Sequence, residues 1–172
     1  MFHKRVLRRL YYLRNFELLN IFLLPFALLL VLITKNVSDW LPYLYGIMVV
    51  CAILAEGALY WHLKIASLRH SPRQFPSWFR PTYRRLWWIN AFLLAGYWVY
   101  VAGAYNSGQL ANGITIWPHL LWSFALLEHI NYFHYQLSHD NLEDLKYLFR
   151  FRRLRKSPLK EDLDRQEARA LV

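Results

Sequence analysis

Two stretches of this chain set an acid, a phenol and an imidazole in the same order: Glu56-Gly57-Ala58-Leu59-Tyr60-Trp61-His62 and Glu128-His129-Ile130-Asn131-Tyr132-Phe133-His134. Both read Glu-x-x-x-Tyr-aromatic-His. On a helix the Glu and the Tyr four residues on share a face, while the His six residues on points roughly 120° away. A carboxylate beside a phenol can bind a cation, hold or pass a proton, or bond to a neighbouring helix. Both stretches lie in otherwise uncharged apolar runs. An ionisable group at the centre of a membrane helix costs about 2.5–3.5 kcal/mol, and less near the interface. Glu56 and Glu128 are therefore the leading candidates for a ligand, ion or proton site, with Tyr60, Tyr132 and Asn131 beside them. The competing expectation is interhelical glue, in which each carboxyl bonds a Tyr, Asn or Arg and fixes the register of a bundle.

Other polar residues fall at the same level of their own apolar runs: Glu17, Asn20 and Asn90. His62 and His134 have the residue type for an axial pair holding a haem between their helices. Glu56, Glu128, His129 and His134 could ligate a metal. The Glu-x-x-His spacing of di-iron carboxylate bundles is absent, since Leu59 and Asn131 occupy the third position after each Glu. The cofactor is thus unknown, haem and metal being the two forms the residues permit. His119 near the start of the last apolar run, and His3, His70 and His139 in basic segments, read as solvated. Cys51 is the single cysteine. It excludes an internal disulfide framework and CxxC chemistry and reads as a small buried hydrophobe. No Gly-rich phosphate loop, G-x-S-x-G, HExxH or Cys-His pairing is present, so the sequence does not define an enzyme.

Four elements must position these groups. Phe16–Thr34, Trp40–Leu63, Leu86–Tyr105 and Thr115–Leu137 are each long and apolar enough to cross a bilayer core, which takes about 20 residues. The runs are continuously apolar rather than alternating, which excludes a membrane barrel. Backbone groups in lipid must be satisfied within the segment, so the runs are helices. The expected fold is an all-α integral membrane protein with four transmembrane helices. Pro25 is expected to kink the first helix, whereas Pro42 and Pro118 fall in first turns, where a missing N–H costs little. The 56% hydrophobic content exceeds the usual 45–50%. The formal charge of +10 is confined to short segments between the apolar runs, unlike the interleaved surface of a nucleic-acid binder.

Of 21 Lys and Arg, only Lys35 falls in the 35–39 and 106–114 loops. The positive-inside rule then puts both termini and the 64–85 loop in the cytoplasm, the protein lying in the plasma or inner membrane. The chain divides into a basic amphipathic segment 1–15, a first hairpin 16–63, a basic loop 64–85, a second hairpin 86–137 and a basic C-terminal segment 138–172. No removable signal peptide is evident. His3–Arg14 and Leu145–Leu154 have basic and apolar residues at helical spacing. Each would lie on anionic lipid or continue its neighbouring helix straight into the cytoplasm. The tail from Ser157 onward is mixed in charge and reads as mobile.

The two halves also match before their first helices. Arg8-Arg9-Leu10-Tyr11-Tyr12-Leu13 parallels Arg84-Arg85-Leu86-Trp87-Trp88-Ile89. Together with the Glu-Tyr-His pattern this predicts a tandem repeat of two helical hairpins, related by an axis along the membrane normal. Arg8, Arg9, Arg14, Arg84 and Arg85 would then ring the inner face as contacts for anionic lipid headgroups.

Three functions fit. The leading one is a binding or accessory module that engages a lipid headgroup or membrane partner at the cytoplasmic leaflet, alone, as a homo-oligomer or in a larger membrane complex, without nucleic acid. The second is an oligomeric ion or proton channel or transporter using the intramembrane glutamates. The third is a haem- or metal-dependent membrane redox protein.

Overall fold

The computed structural model describes residues 2–35, 40–69, 75–106, 116–137, 150 and 152–170. Among them the chain is helical, in five elements. These are α1 (Phe2–Lys35), α2 (Leu41–Arg69), α3 (Phe79–Asn106), α4 (Ile116–Phe133) and α5 (Pro158–Ala170). Three of them, α1, α2 and α3, are long and apolar enough to cross a membrane.

Each helix has a local cause. Pro42 lies in the first turn of α2 and Pro81 in that of α3, where their missing N–H groups are not needed. Pro118 does the same for α4. The helices outrun the apolar stretches at the basic end: α2 continues past Leu63 to Arg69, and α3 begins at Phe79 rather than Leu86. Charged residues are good helix formers once a helix leaves the hydrocarbon. α1 likewise carries the basic N-terminal residues in one continuous helix, from Phe2 through Pro25 to Lys35. Residues 2–15 therefore continue α1 without a break and form no separate helix. Most of the proposed Leu145–Leu154 helix lies outside the described residues, as do His70 and His139.

α2 is the central helix. Its Val50, Ile53, Leu54 and Tyr60 are almost wholly buried, among residues of α1, α3 and α4. α1 packs along α2 by a narrow stripe that includes Leu10, Glu17, Leu28 and Leu32, and exposes Phe22, Phe26, Leu30 and Ile33. So much exposed apolar surface is stable only against lipid or another protein.

The tail corrects the sequence reading. From Ser157 it is packed: Ser157 and Leu159 are buried, and Pro158–Ala170 forms α5. The Ser157 Oγ accepts from Lys160 N–H at 3.1 Å as an N-cap, ahead of Pro158 in the first helical position, a favoured pairing. An antiparallel bridge between Tyr135 and Lys156 leads into it. There Gln136 N–H donates to Arg155 O at 2.9 Å and Ser157 N–H to His134 O at 3.2 Å. α5 thus covers the end of the bundle where α2 and α4 finish.

Candidate functional site

The polar residues expected at one level separate into distinct groups. In the first, Asn90 on α3 is fully buried and its Nδ2 donates to Glu56 Oε2 at 2.7 Å. Tyr83 Oη donates to the Glu56 carbonyl at 2.8 Å. Two bonds from α3 therefore meet one residue of α2, the geometry of a helix clamp.

The second group joins α1 to α4. Glu17 is buried and its Oε1 accepts from the Tyr132 hydroxyl. Its Oε2 has no hydrogen-bond partner among the described residues. Glu128, one turn before Tyr132 on α4, is close enough to Glu17 to act on it electrostatically. Asn131 Nδ2 reaches Glu128 Oε2 only at 3.5 Å. Glu56 and Glu128, though matched in the sequence, therefore serve different helix contacts. Asn20 is half-buried and hydrogen-bonds no described residue.

The histidines are dispersed. His62 is exposed, with no hydrogen bond or ring contact to a described residue. His134 accepts from Trp87 Nε1 at its Nε2, 3.3 Å away, and its ring lies 5.8 Å from that of buried His129. His119 departs from the solvated expectation: it shares a 2.7 Å hydrogen bond with Tyr97 and lies against the Tyr97 and Trp98 rings. Among the described residues no group of three or more His, Cys, Asp or Glu is arranged to hold a metal ion. Cys51 is half-buried, its thiol 3.8 Å from the Ile21 carbonyl of α1.

The third group forms where α5 docks. Asp162 of α5 is buried and accepts from Tyr60 Oη at 2.8 Å. Lys64 Nζ donates both to Asp162 and, at 3.1 Å, to Tyr60 Oη. Beside this triad lies a cavity of about 300 Å³ between α1, the end of α2 and residues 155–161. Arg9, Lys64, Arg155 and Lys156 line it, and Glu161 is the one carboxylate among its described lining residues; from outside the wall Asp162 pairs with Lys64 and Asp164 with Lys156 at 3.4 Å. Trp61 also lines it, with its Nε1 turned toward the Tyr132 hydroxyl. Val6, Leu10, Leu13 and Leu159 supply apolar wall. The arrangement suits an acceptor-rich anion with an apolar neighbour: cations set its charge and position, and fixed donors its orientation.

On the other side of α5 a second cavity of about 310 Å³ lies among Tyr83, Arg84, Trp87 and Trp88. Its charges are largely matched within the protein. Arg80 pairs with Glu167, and Lys160 with Asp164 at 3.1 Å. Burial works to raise the Asp164 carboxyl, but Lys160 and Lys156 outweigh it and hold it below its ordinary value.

The five arginines expected on one inner ring are therefore divided. Arg9 lines the first cavity and Arg84 the second. Arg8 and Arg85 are exposed. Arg14 bonds Asn15 Oδ1 at 2.8 Å and stacks over Tyr11 at 5.0 Å. The sequence reading missed Asp162, Arg155 and Lys156. Their one signal was Ser157-Pro158 followed by Leu159 and Leu163 at i, i+4, the start of a short amphipathic helix.

Comparison with protein-family models, curated proteins and solved structures finds no match to this chain.

Proposed function

We propose that this protein is a four-span module of the plasma or inner membrane that binds an anionic lipid headgroup at the cytoplasmic leaflet. The observation that carries the reading is the cavity that Arg9, Lys64, Arg155 and Lys156 line, with Glu161 the one carboxylate among its described lining residues. It lies at the basic end of the bundle, beside exposed apolar helix surface, where a phosphate of a lipid would meet it. α4 supplies the fourth span. Its 18 residues extend about 27 Å at 1.5 Å each, close to the thickness of a hydrocarbon core. The charge asymmetry of the sequence supports both termini, and hence the cavity, on the cytoplasmic side.

The tandem-hairpin reading draws support from Tyr60 and Tyr132, both buried and both donating to a carboxylate. Their partners differ, Asp162 on α5 and Glu17 on α1, so the two halves have diverged in what they hold. The exposed face of α1 suits a second copy or a larger membrane partner.

The test is native mass spectrometry of the protein in nanodiscs containing phosphatidylglycerol or phosphatidylcholine. Retention of the anionic lipid, weakened by salt and by Arg9→Gln with Arg155→Gln, supports the reading. Equal retention of both lipids in wild type overturns it.

One observation favours a second reading, an ion or proton pathway: Glu17 has an unpartnered oxygen near Glu128. Flux in liposomes that is lost in Glu17→Gln and Glu128→Gln would support it. No flux in wild type, or flux unchanged by both substitutions, would remove it. The redox reading has no comparable support, since the His134 Nε2 already accepts from Trp87. A Soret band or stoichiometric metal in the purified protein would revive it.

A further inference from the structure

We infer that the second cavity, between α3, the end of α4 and α5, binds the head ring of a quinone, a planar dicarbonyl ring that dissolves in the bilayer. This site is separate from the lipid-headgroup cavity and does not rest on that reading. Its volume of about 310 Å³ falls at the lower end of the range of small-molecule pockets, about 300–1,000 Å³, which is room for one or two rings. Its walls are mainly aromatic: Tyr83, Trp87 and Trp88 from α3, and Phe133 and His134 from the end of α4. These rings hold one another in place. Trp87 meets Trp88 edge-on with centroids 4.6 Å apart, and Tyr83 packs against Phe133 at 6.4 Å. Aromatic walls already in position favour a flat ring, which stacks on them at little cost in ordering.

The charges of the wall cancel except for one. Arg80 pairs with Glu167, and Lys160 with Asp164, which Lys156 also reaches from outside the wall. Arg84 remains: it is exposed and makes no ion pair or hydrogen bond with a described residue. A phosphate dianion would meet too little positive charge here, whereas a carbonyl oxygen needs a single donor. His134 supplies a second donor. An indole N–H only donates, so the 3.3 Å bond from Trp87 makes His134 Nε2 an acceptor and puts the proton of the neutral ring on Nδ1. The wall thus offers a guanidinium and an imidazole N–H, one for each carbonyl of a quinone. Access is from lipid. Trp88 is 55% exposed and lies 6.1 Å from Phe92, and Ile89 and Phe92 continue the exposed apolar surface along α3. A ring carrying an isoprenoid tail leaves the tail on that face. A water-soluble aromatic carboxylate shares the ring and the acceptor oxygens but gains nothing from it.

The experiment titrates the full chain in phosphatidylcholine nanodiscs with a naphthoquinone bearing one isoprenoid unit, binding being read by calorimetry against empty nanodiscs. Naphthoate serves as the ring with acceptor oxygens but no tail, and geraniol as the tail without the ring. The expected result is saturable binding of the quinone and of neither control. Arg84→Gln, at an exposed position, should weaken it about tenfold, the size of losing a hydrogen bond to a charged group. Trp87→Leu should weaken it at least as much. Arg85→Gln, exposed and outside the cavity wall, should leave it unchanged. Wild type that takes up no more quinone than empty nanodiscs overturns the inference. So does quinone binding that Arg84→Gln or Trp87→Leu leaves unchanged, or that Arg85→Gln weakens equally. Equal binding of geraniol overturns it in favour of a groove for apolar tails, and equal binding of naphthoate in favour of a site for soluble aromatic anions.

Discussion

The Tyr132 ring of α4 stands in the space that a Cβ on Gly57 of α2 would occupy. The two helices cross there, and the missing side chain lets the phenol pass α2 and reach Glu17 on α1. Gly57→Ala should push the ring back and break that bond. The expected loss is about 1–3 kcal/mol, the usual cost of overpacking a core. Denaturant or thermal unfolding in detergent measures it, and an unchanged midpoint would show that the crossing yields freely.

Tyr132→Phe tests the same contact from the other side. It keeps the ring and removes the only hydrogen bond to the Glu17 carboxyl among the described residues. The expected destabilisation is about 1–2 kcal/mol, because a buried polar group is left unsatisfied. Adding Glu17→Leu should recover much of it, since no orphan then remains.

The Glu56–Asn90 clamp should behave as glue. Asn90→Ala leaves the half-buried Glu56 carboxyl without its Asn90 donor and should cost about 1–3 kcal/mol, the range for a hydrogen bond to a charged group. Replacing both residues by Leu should fall near wild type in stability. A double variant that is stable but has lost lipid binding or flux would assign the pair a role beyond packing.

Ser157→Ala removes the N-cap of α5 and a hydrogen bond from Oγ to the Tyr132 carbonyl. Loss of a Ser cap costs about 0.5–2 kcal/mol. The cost should be local, read as faster hydrogen exchange in α5 while α2 keeps its protection. Equal acceleration in both helices would make α5 part of the global folding unit.

Orientation is checked by labelling. In a Cys51→Ser background, a cysteine at Asn106 should react with an impermeant maleimide in intact cells. A cysteine at Ala168 should react only after permeabilisation. The reverse pattern would invert the topology.

The apolar runs were legible because lipid admits one kind of continuous segment, so length and hydropathy alone announce α1, α2 and α3. The Glu-x-x-x-Tyr repeat singled out Tyr60 and Tyr132 as site candidates, and both are buried. What it could not supply was their partners. Internal similarity places two tyrosines at matching positions on α2 and α4, but the acid each meets depends on tertiary packing: Glu17 lies 115 positions from Tyr132, and Asp162 lies 102 from Tyr60. The tail was misread because its charge hides two leucines. Mean composition over Pro158–Ala170 is polar, and a helix that buries Leu159 and a salt-bridged Asp162 and half-buries Leu163 needs little more. His119 was misread for a related reason: nearness to the end of an apolar run does not reveal that the Tyr97 hydroxyl waits on the neighbouring helix.

Tyr132 uses its two ends differently, the hydroxyl bonded to Glu17 inside the bundle and the carbonyl bonded to Ser157 at the root of the tail. A shift of α1 against α4 therefore has a short mechanical route to the C-terminus, two hydrogen bonds through one residue. Whatever leans on the outer face of the first helix, a neighbouring protein or a change in bilayer thickness, would be felt by the tail without any signal crossing the rest of the fold.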